Sequence, residues 1–103
     1  MHIQFVIFIT PLKQNSSESK LMMKTFESII RPVVGDIIDD PGFDSRFHNG
    51  YEVVKVTLNY ATDTCIVSLA PLVLELQEIS IEEYVQKLEH NGWEIVEKEN
   101  VKA

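Results

Sequence analysis

Four aspartates crowd one stretch of the chain, Asp36, Asp39, Asp40 and Asp44, and carboxylate oxygens on a turn are the ligands that Ca²⁺ and Mg²⁺ prefer. Their spacing departs from an EF-hand loop, which sets acidic or amide ligands at alternate positions and closes with a glutamate. Solvated turn acids are the expectation, because Asp39-Asp40-Pro41-Gly42 is itself a strong turn signal. The one cysteine, Cys65, shares strand parity with Val67 and Leu69. A cysteine placed so packs as a small hydrophobe, whereas a nucleophilic thiolate needs a nearby cation or helix N-terminus and some exposure. Three histidines, His2, His48 and His90, show no metal-ligand spacing. His90 suits the negative end of a helix dipole. His48 sits in a loop beside Asn49-Gly50, where Asp44, Arg46 and His48 would form a mixed acid-base set if the loop brought them together.

The absences decide more. The chain has no Gly-x-x-x-x-Gly-Lys phosphate loop, no Gly-x-Gly-x-x-Gly, no Cys-x-x-Cys, no Gly-x-Ser-x-Gly elbow and no His-Glu-x-x-His. Its four glycines, Gly35, Gly42, Gly50 and Gly92, are scattered, and each fits a turn or a cap. Sixteen acids offer many carboxylate pairs, but no spacing singles one out for acid-base work. No catalytic, cofactor-binding or metal residue is assigned, and no cofactor is expected.

Charge narrows the partners. The net formal charge of −7 divides into +2 over residues 1–34, −5 over 35–76 and −4 over 77–103. An acidic chain without a basic stripe repels phosphate backbones and anionic bilayers, so nucleic acid and membrane are not expected as partners. The apolar run HIQFVIFIT at the N-terminal end is too short to span a bilayer and has neither preceding basic residues nor a following small-residue cleavage site. One cysteine permits no internal disulfide. The setting expected is cytoplasmic.

The elements that must position these residues centre on Tyr51–Leu76, which carries the densest β signal and reads as a hairpin turning at Ala61-Thr62-Asp63-Thr64. Val54, Val56, Leu58 and Tyr60 share one face, with Lys55, Thr57 and Asn59 on the other. Tyr51 and Val53 have the opposite parity, so the phase changes at Val53-Val54 as it does at a β-bulge. The return arm is apolar on both parities to Ala70, and Pro71 interrupts its ladder. At the start of the chain, Ile3, Phe5, Ile7 and Ile9 alternate with Gln4, Val6 and Phe8, which predicts a central strand.

From about Ser17, Met22, Phe26, Ile29 and Ile30 fall at i, i+4, i+7 and i+8, predicting a helix that Pro32 ends. Residues 33–50 read as a loop-rich insertion with a possible short strand at Val33-Val34 or Ile37-Ile38, and with Phe43 and Phe47 tucked beneath it. A second helix starts in a Ser80/Glu83 capping box with an Ile79/Tyr84 staple, and buries Ile81, Tyr84, Val85 and Leu88. Asn91-Gly92 closes it, with Trp93 meeting Leu88 across the cap. A last strand follows as WEIVEK, and residues 99–103 are expected to fray.

The whole reads as one α+β domain over residues 1–103, a mostly antiparallel sheet of four or five strands with two helices, in the order β-α-(β)-β-β-α-β. Without the insertion this is the split β-α-β-β-α-β arrangement of ferredoxin-like domains. The alternative is a small SH3-like curled barrel with flanking helices, because Gly35-Asp36 followed by Tyr-x-Val-x-x-Val from Tyr51 loosely resembles the opening of such barrels. Two helices cover one face of a sheet, so the other is free to meet a second copy. The expected function is a non-enzymatic interaction or regulatory module that self-associates through a sheet face as a homo-oligomer, with a further protein partner open to it. The alternative is a small-molecule-binding domain or enzyme with its pocket at the sheet face or the 43–48 loop. A third class, an acidic surface that occupies a basic protein, would need the acids to form a stripe.

Overall fold

Ile3, Phe5, Ile7 and Ile9 all point into the core of the computed structural model, which describes residues 1–11, 20–43, 50–74 and 81–96. They belong to β1 (His2–Pro11), which is central as its two-sided apolar pattern predicts. The other elements are β2 (Lys20–Glu27), β3 (Ile37–Ile38), β4 (Tyr51–Asn59), β5 (Thr64–Leu69), β6 (Leu72–Leu74), α1 (Ile81–His90) and β7 (Glu94–Val96). They form a single small domain, in which a mixed sheet curls into a half-barrel. The strand order is β3-β4-β5-β1-β2-β7, with β6 also beside β1. Most pairings are antiparallel; only β5 and β6 run parallel to β1.

The hairpin forms as read, between β4 and β5, with its turn one residue earlier than expected, at Tyr60–Asp63. The bulge is real. Val53 pairs with Leu69 while Lys55 pairs with Ser68, so Val54 is the extra residue. Val53 is buried, Val56 and Leu58 pack partly on the core, and Val54 and Tyr60 stand exposed. A second irregularity falls where Pro71 predicts it. Three steps along β1, Val6 to Ile9, match four along the return arm, Ser68 to Leu72, so β5 and β6 are one lane broken at Ala70-Pro71.

The predicted first helix is instead a strand. Lys20–Glu27 pairs antiparallel with β1 over eight residues, from His2 opposite Glu27 to Ile9 opposite Lys20. Met22 and Phe26 are four apart, a separation that serves a helical stripe and a strand face equally well. Ile29 and Ile30 were needed to decide for the helix, and both lie beyond the strand in solvent. The split β-α-β-β-α-β order is therefore not adopted, and among the described residues α1 is the only helix.

That helix ends as its sequence requires. Trp93 N–H donates to Leu88 C=O at 3.1 Å and Gly92 N–H to Glu89 C=O at 3.3 Å, the two bonds of a Schellman cap, with Gly92 at φ +95°. Tyr84, Val85 and Leu88 are buried. Ser80 and Ile79, and with them the capping box and staple, lie outside the described residues, as do Phe47 and residues 97–103. The core runs through a chain of rings. Phe26 meets Phe5 edge-on at 5.1 Å, Phe5 lies near-parallel to Trp93 at 6.3 Å, Trp93 tilts to Phe43 at 5.6 Å, and Phe43 meets Tyr51 edge-on at 4.7 Å. The Tyr51 and Tyr84 hydroxyls close the series at 3.3 Å, carrying it from β2 to α1.

Gly50 fixes how β4 begins. Its φ is +128°, and a Cβ there would lie 2.7 Å from Ile38 C=O, backbone that cannot swing away. Gly50→Ala is expected to cost about 2–3 kcal/mol, the scale of a side chain forced into a glycine-only conformation. The urea midpoint would show it, and an unchanged midpoint would mean that β3 and β4 separate at this point without cost.

Candidate functional site

Residues 28–40 leave the end of β2, pass over the core face of β1 and β2, and join β4 through β3. We call this segment the strap. Its shape is set by local bonds. Ser28 Oγ accepts the Ile30 N–H at 2.9 Å, and Asp36 Oδ2 accepts the Val33 N–H at 3.0 Å while the Asp36 N–H donates to Val33 C=O. Gly35 N–H donates to Val53 C=O at 2.9 Å and Val53 N–H to Asp36 C=O at 2.8 Å, which docks the turn on the bulged part of β4. β3 appears in the strap at Ile37-Ile38, one of the two places where the sequence allowed it.

The far end of the strap is held by a buried carboxylate. Asp40 is 8% exposed. Its Oδ1 accepts the Gly42 N–H at 2.8 Å and the Trp93 Nε1–H at 3.0 Å, and its Oδ2 takes the Lys24 ammonium at 2.6 Å. The first of these bonds, with Phe43 N–H to Asp40 C=O at 2.9 Å, makes the Asp40-Pro41-Gly42-Phe43 turn. The other two tie that turn to Trp93, just before β7, and to β2. A buried charge needs such partners, and no buried polar side-chain atom among the described residues lacks one.

Lys24 is therefore not a surface lysine. It lies on the inward parity of β2, opposite Phe5 and between Met22 and Phe26, with its side chain 21% exposed. A half-open cavity of about 390 Å³ lies between strap and sheet. Its floor is Ile3, Phe5 and Phe26, its outer wall Ile30, Pro32 and Ile38, and its polar end Lys24, Asp39 and Asp40. The outward side of the strap is unusually apolar. Ile29 is 100% exposed, Ile30 76%, Val34 62%, Ile37 62% and Val33 49%.

The residues singled out for chemistry are dispersed. Asp36 and Asp39 serve the strap's own backbone, Asp39 by accepting the Asp40 N–H at 2.9 Å, and Asp40 serves the turn that follows it. Asp44, Arg46 and His48 lie outside the described residues. Among the described residues no group of three or more His, Cys, Asp or Glu is placed to hold a metal ion. Cys65 is buried in the core beside Val67 and Leu69 on its own face. His2 pairs with Glu27, its partner across the β1–β2 ladder, and His90 is exposed in the last turn of α1. Phe43 is buried.

Lys24, Ile29 and Ile30 are what the sequence reading missed. The signal for Lys24 was present in the alternation Met22, Lys24, Phe26, once that stretch is taken as a strand. Among the described residues no helix is long and apolar enough to cross a membrane. The fold and site define a small α+β domain with a mixed, curled sheet and one strapped face. No protein-family model, curated protein or solved structure matches the chain.

Proposed function

We propose that this chain is a small non-enzymatic interaction module that self-associates, with a second copy docking on the strap. The observation that carries this is the exposure of Ile29, Ile30, Val33, Val34 and Ile37 within nine consecutive positions. Single exposed aliphatics are ordinary, but monomeric soluble proteins rarely leave contiguous apolar patches larger than a few hundred Å². Charge favours a second copy as the occupant. The chain at −7 repels itself overall, yet the stretch from Ile29 to Ile37 carries one Arg31 and one Asp36, both exposed. A two-fold contact sets each beside its opposite. Asp36, Asp39, Asp40 and the Cys65 thiol are engaged in turns and core, which suits a binding role better than a catalytic one. The buried free Cys65 suits a reducing, cytoplasmic setting.

A second reading rests on Phe8. It is 53% exposed on the outer sheet face, with Val6, Leu21, Met23 and Ile66 half-buried on that same face. Docking there is the sheet-face association that the apolar strands suggest. The half-barrel curl agrees better with the SH3-like alternative than with a ferredoxin-like sheet, and fold alone names no partner.

Sedimentation velocity over a concentration series tests both. The wild type is expected to dimerise, and more strongly as salt rises, because screening removes the repulsion between two acidic copies. Ile29→Ser/Val34→Ser is expected to give a monomer with an unchanged far-UV circular dichroism spectrum, since neither side chain is in the core. If Phe8→Ser dissociates the dimer instead, the outer face is the interface. A wild type that stays monomeric at millimolar concentration overturns the proposal.

A further inference from the structure

The cavity beneath the strap is a second feature, which shares only Ile30 with the patch proposed for self-association. We propose that it binds a small organic amine, a single ammonium group carried on an aromatic or branched aliphatic body. Size and lining define the body. A cavity of about 390 Å³ lies at the lower end of the roughly 300–1,000 Å³ range of ligand sites. Ile3, the Phe5–Phe26 edge-to-face pair and the walls of Ile30, Pro32 and Ile38 present carbon to its occupant.

The polar end defines the charge. Two carboxylates, Asp39 and Asp40, face one ammonium, Lys24. Lys24 is taken by Asp40 at 2.6 Å, and Asp40 has both oxygens engaged. Asp39 uses one oxygen to accept the Asp40 N–H at 2.9 Å, and the other has no partner among the described residues. The surplus at this end is therefore one negative charge on an open oxygen. A cation there completes an ion pair and a charge-assisted hydrogen bond. An anion would have to take Lys24 from a buried carboxylate and lie beside a second, so it is disfavoured.

The test is an NMR titration of ¹⁵N-labelled protein with three probes of similar body, 2-phenylethylamine, 2-phenylethanol and 3-phenylpropionate. The amine is expected to give saturable shifts centred on the amides of Phe5, Lys24, Phe26 and Ile38, with weaker shifts from the alcohol and none from the acid. Asp39→Asn keeps the acceptor for the Asp40 N–H and removes the charge. It is expected to weaken the amine about two- to fivefold, the size of a solvent-accessible ion pair, and to leave the alcohol unchanged. Ile30→Ala, at a residue 76% exposed and so not needed for folding, is expected to weaken amine and alcohol alike. Equal binding of all three probes, preference for the acid, or no saturable shift from the amine overturns the proposal.

Discussion

Trp93→Ala is expected to lower the stability of the fold by about 3–5 kcal/mol, the usual cost of emptying a buried tryptophan site. The ring is 2% exposed. It stands between Phe5 and Phe43 in the chain of aromatics that links the sheet to the helix and to the end of the strap. Removing it breaks that chain at its middle and leaves Asp40 Oδ1 with the Gly42 N–H alone. For a domain whose total stability is of order 5–15 kcal/mol, such a loss leaves a substantial unfolded fraction at physiological temperature. Urea denaturation followed by far-UV circular dichroism gives the number. Trp93→Phe separates the two causes, because it keeps a ring in the stack and deletes only the Nε1–H donor. A loss of about 1–2 kcal/mol is expected for it, the value of one hydrogen bond to a charged acceptor. If Phe costs as much as Ala, the bond to Asp40 matters more than the ring. An unchanged midpoint for Ala would place the ring outside the core in solution.

The two irregularities of the sheet were legible because each leaves a local mark. A bulge shifts parity, and the shift at Val53-Val54 can be seen in the alternation itself; Pro71 lacks the N–H that a ladder needs. The cap at Gly92 was legible for the same reason, since a glycine after an apolar helical stripe is a short-range signal. The segment around Met22 was not, because residues four apart lie on one face in either period. What separates the alternatives is the eight-residue ladder with β1, a tertiary fact. The site was still less legible. Lys24, Asp40 and Trp93 are 16 and 53 residues from one another along the pairs that join them, and nothing in composition couples such positions. The exposed strap was hidden by its own apolarity. Ile29 and Ile30 read as part of a helical stripe and Val33, Val34 and Ile37 as part of a loop-rich insertion, and only the fold shows all five turned outward.

Asp40→Ala is expected to cost about 3–5 kcal/mol, as does removing one partner of a buried charged network. Two of the three donors it abandons, the Gly42 N–H and the Trp93 Nε1–H, belong to buried residues and cannot readily exchange the carboxylate for water. The third, Lys24, retains 21% exposure and can swing toward solvent, so its share is the smaller. Asp40→Asn distinguishes these contributions. Its amide oxygen still accepts both N–H groups, while its NH₂ faces the ammonium, donor against donor, and a cost of about 1–2 kcal/mol is expected. Lys24→Met keeps most of the stem and removes the charge. A double-mutant cycle of Lys24→Met with Asp40→Asn then measures the ion pair alone, with coupling of about 0.5–3 kcal/mol expected for residues in one network. Coupling near zero would show that Trp93 and Gly42 anchor the turn without Lys24. The network also holds the end of the strap, so its effect reaches beyond stability. In Asp40→Ala every apolar strap residue is still present, yet the segment has lost the anchor that fixes their arrangement. Dimerisation should weaken in this variant even under conditions where circular dichroism shows it folded. If the folded variant dimerises as tightly as the wild type, the strap's apolar side chains do not depend on Asp40 for their geometry.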